Sequence, residues 1–241
     1  MIKEEKVYTY QEFLDIIAML RSENGCPWDK EQTHESLKPC MTEEAAELLA
    51  AIRIYGKTGN AENMREELGD ILLQVVMHAQ IASEEGLFTM EDVVNEVSRK
   101  MVRRHPHVFG TATADTSEQV LSNWEDIKKE EKKDKSWISS PLREIPKELP
   151  ALARAPKVLK KIDKLYGQSN GYEQDIRVLE ESLAGLEAQD PSKTNNLDTC
   201  LTDMLLALSD IARIYKLPLE QLLTDRIEDM IEAAENTSKL V

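Results

Sequence analysis

Two short acidic clusters hold the side chains in this sequence best suited to chemistry, Glu43-Glu44-Ala45-Ala46-Glu47 and Glu66-Glu67-Leu68-Gly69-Asp70. Glu44 and Glu47 are three residues apart, and so are Glu67 and Asp70. On a helix that spacing puts both carboxylates of each pair on one face. If the two helices pack together, four carboxylates converge, and they repel one another unless a cation neutralises them. Oxygen-only ligands suit hard divalent ions, in an enzyme most often Mg²⁺ or Mn²⁺. The competing reading is two solvated acidic faces, the ordinary fate of charge runs on helices. A ferritin-like di-iron centre needs Glu-x-x-His from two helices. Neither cluster supplies that histidine, and His78 lies eight residues past Asp70.

The elements around these clusters read as helices. Thr9 and Glu12 form a capping-box pattern ahead of Phe13, Ile16, Ile17 and Leu20, and this first helix is expected to end near Asn24-Gly25. Residues 26–33 read as a loop or broken turn. Pro39 opens a second helix that is expected to stop at Gly56. A third covers roughly 61–85 and is closed by Gly86. Thr89 caps a fourth, stopped by His105-Pro106. In the second helix Leu48 and Ile52 follow Glu44 by four and eight positions, and in the third Ile71 and Val75 follow Glu67 by the same steps. Packing these apolar stripes together brings the acidic edges together as well. A charged helix is expected over 116–135, and four more helices after residue 150. Alternating β-branched runs with hairpin turns are absent, so the fold class is all-α.

The chain of 241 residues carries 45 acidic and 30 basic side chains, a net charge of −15. Such a surface repels duplex nucleic acid and anionic membranes, so neither is expected as a partner. A nucleotide is not excluded, since it can arrive with its metal and meet a local basic cluster. Three cysteines without paired spacing read as free thiols, the start of the chain is polar, and no apolar run reaches membrane-spanning length, which together lead us to expect a cytoplasmic protein.

A weak internal repeat organises the rest. Gly69-Asp70-Ile71-Leu72-Leu73 resembles Thr202-Asp203-Met204-Leu205-Leu206, and Glu43-Glu44-Ala45-Ala46-Glu47 can be set beside Glu180-Glu181-Ser182-Leu183-Ala184. In the second copy Ala184 stands for Glu47 and Cys200 for Glu67, so the acidic set is broken and no comparable metal site is expected there. The expected organisation is two tandem related helical-bundle units, 1–135 and 151–241, joined by a proline-rich linker over 136–150.

The pattern Glu-Glu-x-x-Glu, spacer, Glu-x-x-Asp resembles the signature of the all-α nucleoside triphosphate pyrophosphohydrolases. Residues 25–33 (Gly-Cys-Pro-Trp-Asp-Lys-Glu-Gln-Thr), 103–109 (Arg-Arg-His-Pro-His-Val-Phe) and 124–128 (Trp-Glu-Asp-Ile-Lys) narrow the likeness to the MazG family. It is strong over residues 10–135 and weak after 150. The resemblance implies hydrolysis of a nucleoside triphosphate to monophosphate and pyrophosphate, with Mg²⁺ on Glu44, Glu47, Glu67 and Asp70 and Mn²⁺ as a substitute. Glu43, adjacent to the ligands, is the candidate general base. Lys100 and Arg104 share a helix face, with Arg103 beside them, and match positions that contact the triphosphate. Without the resemblance they read as favourable charges at a helix C-terminus. Trp124 is a candidate stacking surface for base or ribose, with Lys128 a turn further on, or else a core residue. Trp28 and Lys30 read either as a wall of the substrate pocket or as a loop anchored by a buried indole. His105 and His107 read as loop-ordering residues. Single units of the superfamily usually need a partner to complete a bundle, so a homodimer is expected. The alternative function is a non-catalytic acidic helical module that senses nucleotides or binds a partner.

Overall fold

In the computed structural model, residues 6–114, 116–132, 139–168, 170–187 and 197–238 are described. They form two compact units, Met1–Glu130 and Glu131–Val241. Among the described residues every regular element is helical, and no helix is long and apolar enough to cross a membrane.

In the first unit α1 spans Tyr10–Arg21, α2 Pro27–Glu31, α3 Lys38–Thr58, α4 Glu62–Glu84, α5 Met90–Arg104, α6 Pro106–Phe109, and α7, which runs across the boundary, Ser117–Lys132. The capping box at Thr9 and Glu12 forms as the spacing predicts: the Glu12 amide donates to Thr9 Oγ1 at 3.2 Å, and the Thr9 amide to Glu12 Oε2 at 2.9 Å. Thr89 and Asp92 repeat the arrangement at α5. Several boundaries differ from expectation: α1 ends at Arg21, before Asn24-Gly25, and Pro106 opens the short helix α6. Residues 27–31, read as irregular, form a short helix entered through Pro27. The second helix runs past Gly56 and ends at Gly59, whose φ of 73° and amide bond to the Tyr55 carbonyl close the last turn. Gly56 sits in ordinary helical backbone, where glycine weakens a helix without terminating it.

The core of this unit is Ile17, Leu37, Val76, Met77 and Ile81, with Phe13, Leu14, Leu20, Cys40, Leu73 and Met90 packed against it. Each such aliphatic side chain contributes roughly 1.5–3 kcal/mol when fully buried. The core joins α1, the start of α3 and the second half of α4. Glu44, Glu67 and Asp70 are not part of this cluster, but Glu44 follows Cys40 by one turn and Asp70 precedes Leu73 by one turn, so the core anchors the helices that carry them. The connection of Gly59 to Ala61 is too short for anything but an antiparallel pairing of α3 with α4.

The second unit contains a 3₁₀ turn at Pro141–Glu144, then α8 Ala151–Tyr166, α9 Gly171–Glu187, α10 Leu197–Ile214 and α11 Leu219–Ser238. Residues 136–138 of the expected linker lie outside the described residues. Here α9 packs along α10 as α3 does along α4. In the register of the repeat, Asp210 takes the place of the core residue Met77. Asp210 is buried and ion-paired with Arg213, and the neighbouring Asp175 is fully buried.

Candidate metal centre

Glu44 comes from the second turn of α3, and Glu67 and Asp70 from the second and third turns of α4. One carboxylate oxygen from each lies within 4.8 Å of the other two. All three residues are half-buried, while Glu43 and Glu47 are exposed. The cause is local: α3 and α4 present these acids at the edge of their shared seam, where each helix removes water from the other's side chains.

The electrostatics show how an antiparallel pair assembles the site. Partial burial pushes the Glu44 carboxyl above the usual carboxylate range, followed by the charges of Asp70, Glu47, Glu67 and Glu43. Partial burial also raises Glu67, followed by Glu47, Asp70 and Glu66. For both carboxyls the largest charge effect comes from an acid of the opposite helix, as expected where α3 and α4 share a seam. Glu47 adds its charge to the cluster but is not in the group of three whose oxygens converge. Carboxylates whose protons are held more tightly than usual, with oxygens facing one another, are the donor set a hard divalent cation fits. Asn63, one turn before Glu67, donates from Nδ2 to Glu67 Oε1 at 3.1 Å and sets that carboxylate's rotamer. Its i,i+4 spacing was available in the sequence, but such a pair has no distinguishing signal until the acid is known to matter.

The basic residues fall into two groups. Arg104, Trp124 and Lys128 come together, with the Arg104 guanidinium 4.8 Å and the Lys128 ammonium 4.7 Å from the indole centroid. Trp124 is half-buried, so its ring is neither a pure core residue nor an open platform. It holds two cations. Lys100 is half-buried on α5 and Arg103 is exposed. Trp28 and Lys30 lie on α2, and Trp28 is 62% exposed, which removes the reading of a loop anchored by a buried indole.

What anchors that segment is Arg21, the last residue of α1. Its Nη1 donates to the carbonyls of Asp29 at 2.6 Å and Gln32 at 3.1 Å, and its Nε and Nη2 fork onto the Glu84 carboxylate of α4. Gly25 makes this possible. The chain doubles back so closely over the end of α1 that a Cβ there would lie 2.2 Å from the Leu20 carbonyl oxygen. His105 Nδ1 lies 2.7 Å from the Met101 carbonyl oxygen, in keeping with a loop-ordering role.

Comparison with known proteins meets this geometry from the other side. Residues 32–109, which include all three converging carboxylates, match the model of the MazG nucleotide pyrophosphohydrolase domain. The chain is 39% identical over 233 residues to the nucleoside triphosphate pyrophosphohydrolase/pyrophosphatase MazG of Thermotoga maritima, covering 96% of this chain and 86% of that one. It is 43% identical over 245 residues to the uncharacterized protein YabN of Bacillus subtilis, covering 99% of this chain and 49% of that one. It is 48% identical over 149 residues to the nucleoside triphosphate pyrophosphohydrolase of Escherichia coli K12, covering 61% of this chain and 55% of that one. The chain thus spans about half the length of the Bacillus and Escherichia relatives. With a likeness that runs through nearly the whole Thermotoga protein and a domain match centred on the acidic helices, this chain belongs to the MazG family of nucleoside triphosphate pyrophosphohydrolases.

Proposed function

We propose that the first unit hydrolyses nucleoside triphosphates to the monophosphate and pyrophosphate, with Mg²⁺ as cofactor and Mn²⁺ as a substitute. The observation that carries the reading is the convergence of Glu44, Glu67 and Asp70. The family, and the activity for which the Thermotoga and Escherichia relatives are named, support it. Glu47, whose charge already reaches Glu44 and Glu67, is the fourth ligand in this proposal. Bound Mg²⁺ supplies charge neutralisation on the phosphate oxygens.

The remaining work belongs to the chain itself. Glu43, exposed and next to Glu44, accepts a proton from the attacking water as the water oxygen bonds to phosphorus and pyrophosphate leaves. Lys100, Arg103 and Arg104 neutralise the triphosphate, with Lys128 as a further cation. Trp124 keeps Arg104 and Lys128 together in the free protein and offers its ring to the base or ribose. Trp28 and Lys30 wall the pocket from α2.

A second copy of the chain completes the bundle in this proposal. The α3–α4 pair leaves Leu49, Ile52, Leu68 and Leu72 exposed in one copy, a run of apolar side chains suited to a matching helical pair. The second unit, with Ala184 and Cys200 at two ligand positions, is structural.

The test is pyrophosphate release from a panel of ordinary and modified nucleoside triphosphates with Mg²⁺ or Mn²⁺. Turnover by the native chain and its loss in Asp70→Asn, with the helical circular dichroism spectrum intact, is the expected result. Full activity in Asp70→Asn refutes the assignment.

A further inference from the structure

His34, in the segment between α2 and α3, meets His78 on α4. The two Nδ1 atoms are 2.7 Å apart, the ring planes differ by 6°, and the centroids are 5.0 Å apart. That centroid separation is the nitrogen separation plus one ring radius at each end. The rings are therefore coplanar and joined edge to edge along the Nδ1–Nδ1 line, not laid face on face. A bond of this kind holds one proton between two nitrogens, so one ring donates and the other accepts.

We propose that His34 and His78 are positioning residues, a one-proton latch that holds the segment bearing Trp28 and Lys30 against the helix that supplies Glu67 and Asp70. The latch closes when at most one ring is charged and opens when both are, because two Nδ1–H groups cannot face each other. Only its kinetic readout rests on the hydrolysis proposed above.

The surroundings define its states. Glu85 at the end of α4 lies 4.0 Å from His34 Nε2. Glu35 is beside His34 and is itself paired with Lys38 of α3. Arg21 of α1 and Glu84 of α4 neutralise each other on the same end of α4. Burial, and then the charge of His34, disfavour protonation of His78. With His34 neutral and its Nε2–H turned toward Glu85, His78 donates from Nδ1. A first proton enters at the free Nε2 of His78 and leaves the single Nδ1 hydrogen shared between the rings, so the bond survives. A second puts a hydrogen on both Nδ1 atoms and breaks it.

The full-length protein is compared with His34→Ala and His78→Asn. The asparagine amide reaches the place of Nδ1 and does not titrate. At pH 7.5, residue-assigned imidazole ¹⁵N spectra of the native chain are expected to show, within the His34–His78 pair, one Nδ1-protonated ring and one Nδ1 acceptor. Two Nε2–H tautomers would overturn the proposal. Amide exchange of residues 27–37 is expected to lose about five- to tenfold in protection in His34→Ala, as one part-buried hydrogen bond implies, and to stay near native in His78→Asn. Unchanged protection in His34→Ala also overturns it. For a hydrolysed triphosphate, KM rises with kcat nearly constant in His34→Ala, and the rise of KM toward acid pH is absent in His78→Asn. A KM in His34→Ala equal to the native value counts against the latch. If the native chain hydrolyses no triphosphate, the functional proposal fails, while spectra and exchange still decide the latch.

Discussion

Arg21→Met tests how the α2 segment is tied to the body of the first unit. The arginine side chain is 5% exposed and its partner Glu84 is 38% exposed. Methionine fills similar volume and removes the fork. Of the two carbonyls that Arg21 serves, that of Asp29 keeps the Gln32 amide at 3.3 Å. The Gln32 carbonyl loses the bond from Arg21, a loss of about 1 kcal/mol. Breaking a fully buried pair costs about 3–5 kcal/mol, but Glu84 regains water, which leaves roughly 1–2 kcal/mol. The expected destabilisation is about 2–3 kcal/mol in all. Two units that unfold separately invalidate a single-transition fit, so native-state amide exchange along α1 and α4 is the assay. The pH dependence supplies a second check. Hydrogen bonding to Arg21 holds the Glu84 carboxyl below the usual range. A depressed carboxyl stabilises the fold above the unfolded pKa of about 4.3, and that stability is lost as pH falls through the folded value. The gap between native and variant therefore narrows below about pH 4. A gap under about 0.5 kcal/mol at pH 7, the level of an ordinary surface change, refutes the reasoning.

Further outcomes follow from the same structure. Mg²⁺ or Mn²⁺ is expected to raise the melting temperature of the native chain, and Glu67→Gln to abolish that shift, checked by thermal melts with and without chelator. Asp70→Asn should lower the rate of pyrophosphate release by about a hundredfold or more. Asp175 is raised by burial first and then by Asp210. Its stabilising share is complete below the unfolded carboxyl pKa and fades as pH rises through the higher folded value, so Asp175→Asn should flatten the loss of second-unit stability toward neutral pH, measured by native-state amide exchange along α9 and α10 at several pH values. Ile52→Glu should shift the species in light scattering from dimer to monomer while leaving the helical spectrum intact.

Much of this chain is legible one helical turn at a time. The capping box at Thr9, the cap at Thr89, the apolar stripes and the acid pairs at three-residue spacing all depend on neighbours in sequence, because helix periodicity alone places them. The all-α class and the two acidic helices follow from that. Glycine at 56 and glycine at 59 look alike in sequence, and only the one with positive φ terminates α3. The same holds for 27–31, where a short helix is stabilised by a guanidinium from another element.

The contacts that only the tertiary structure decided join residues far apart in the chain. Arg21 meets Glu84 across 63 positions, and His34 meets His78 across 44. No periodicity connects such residues; they meet because α1 and the start of α3 bury a common core against α4. The convergence of Glu44 with Glu67 and Asp70 is of the same kind. The four acids were visible from their spacing, but which faces which depends on the antiparallel direction and axial offset of two packed helices, and those are set by a short turn at Gly59 and a core two turns away.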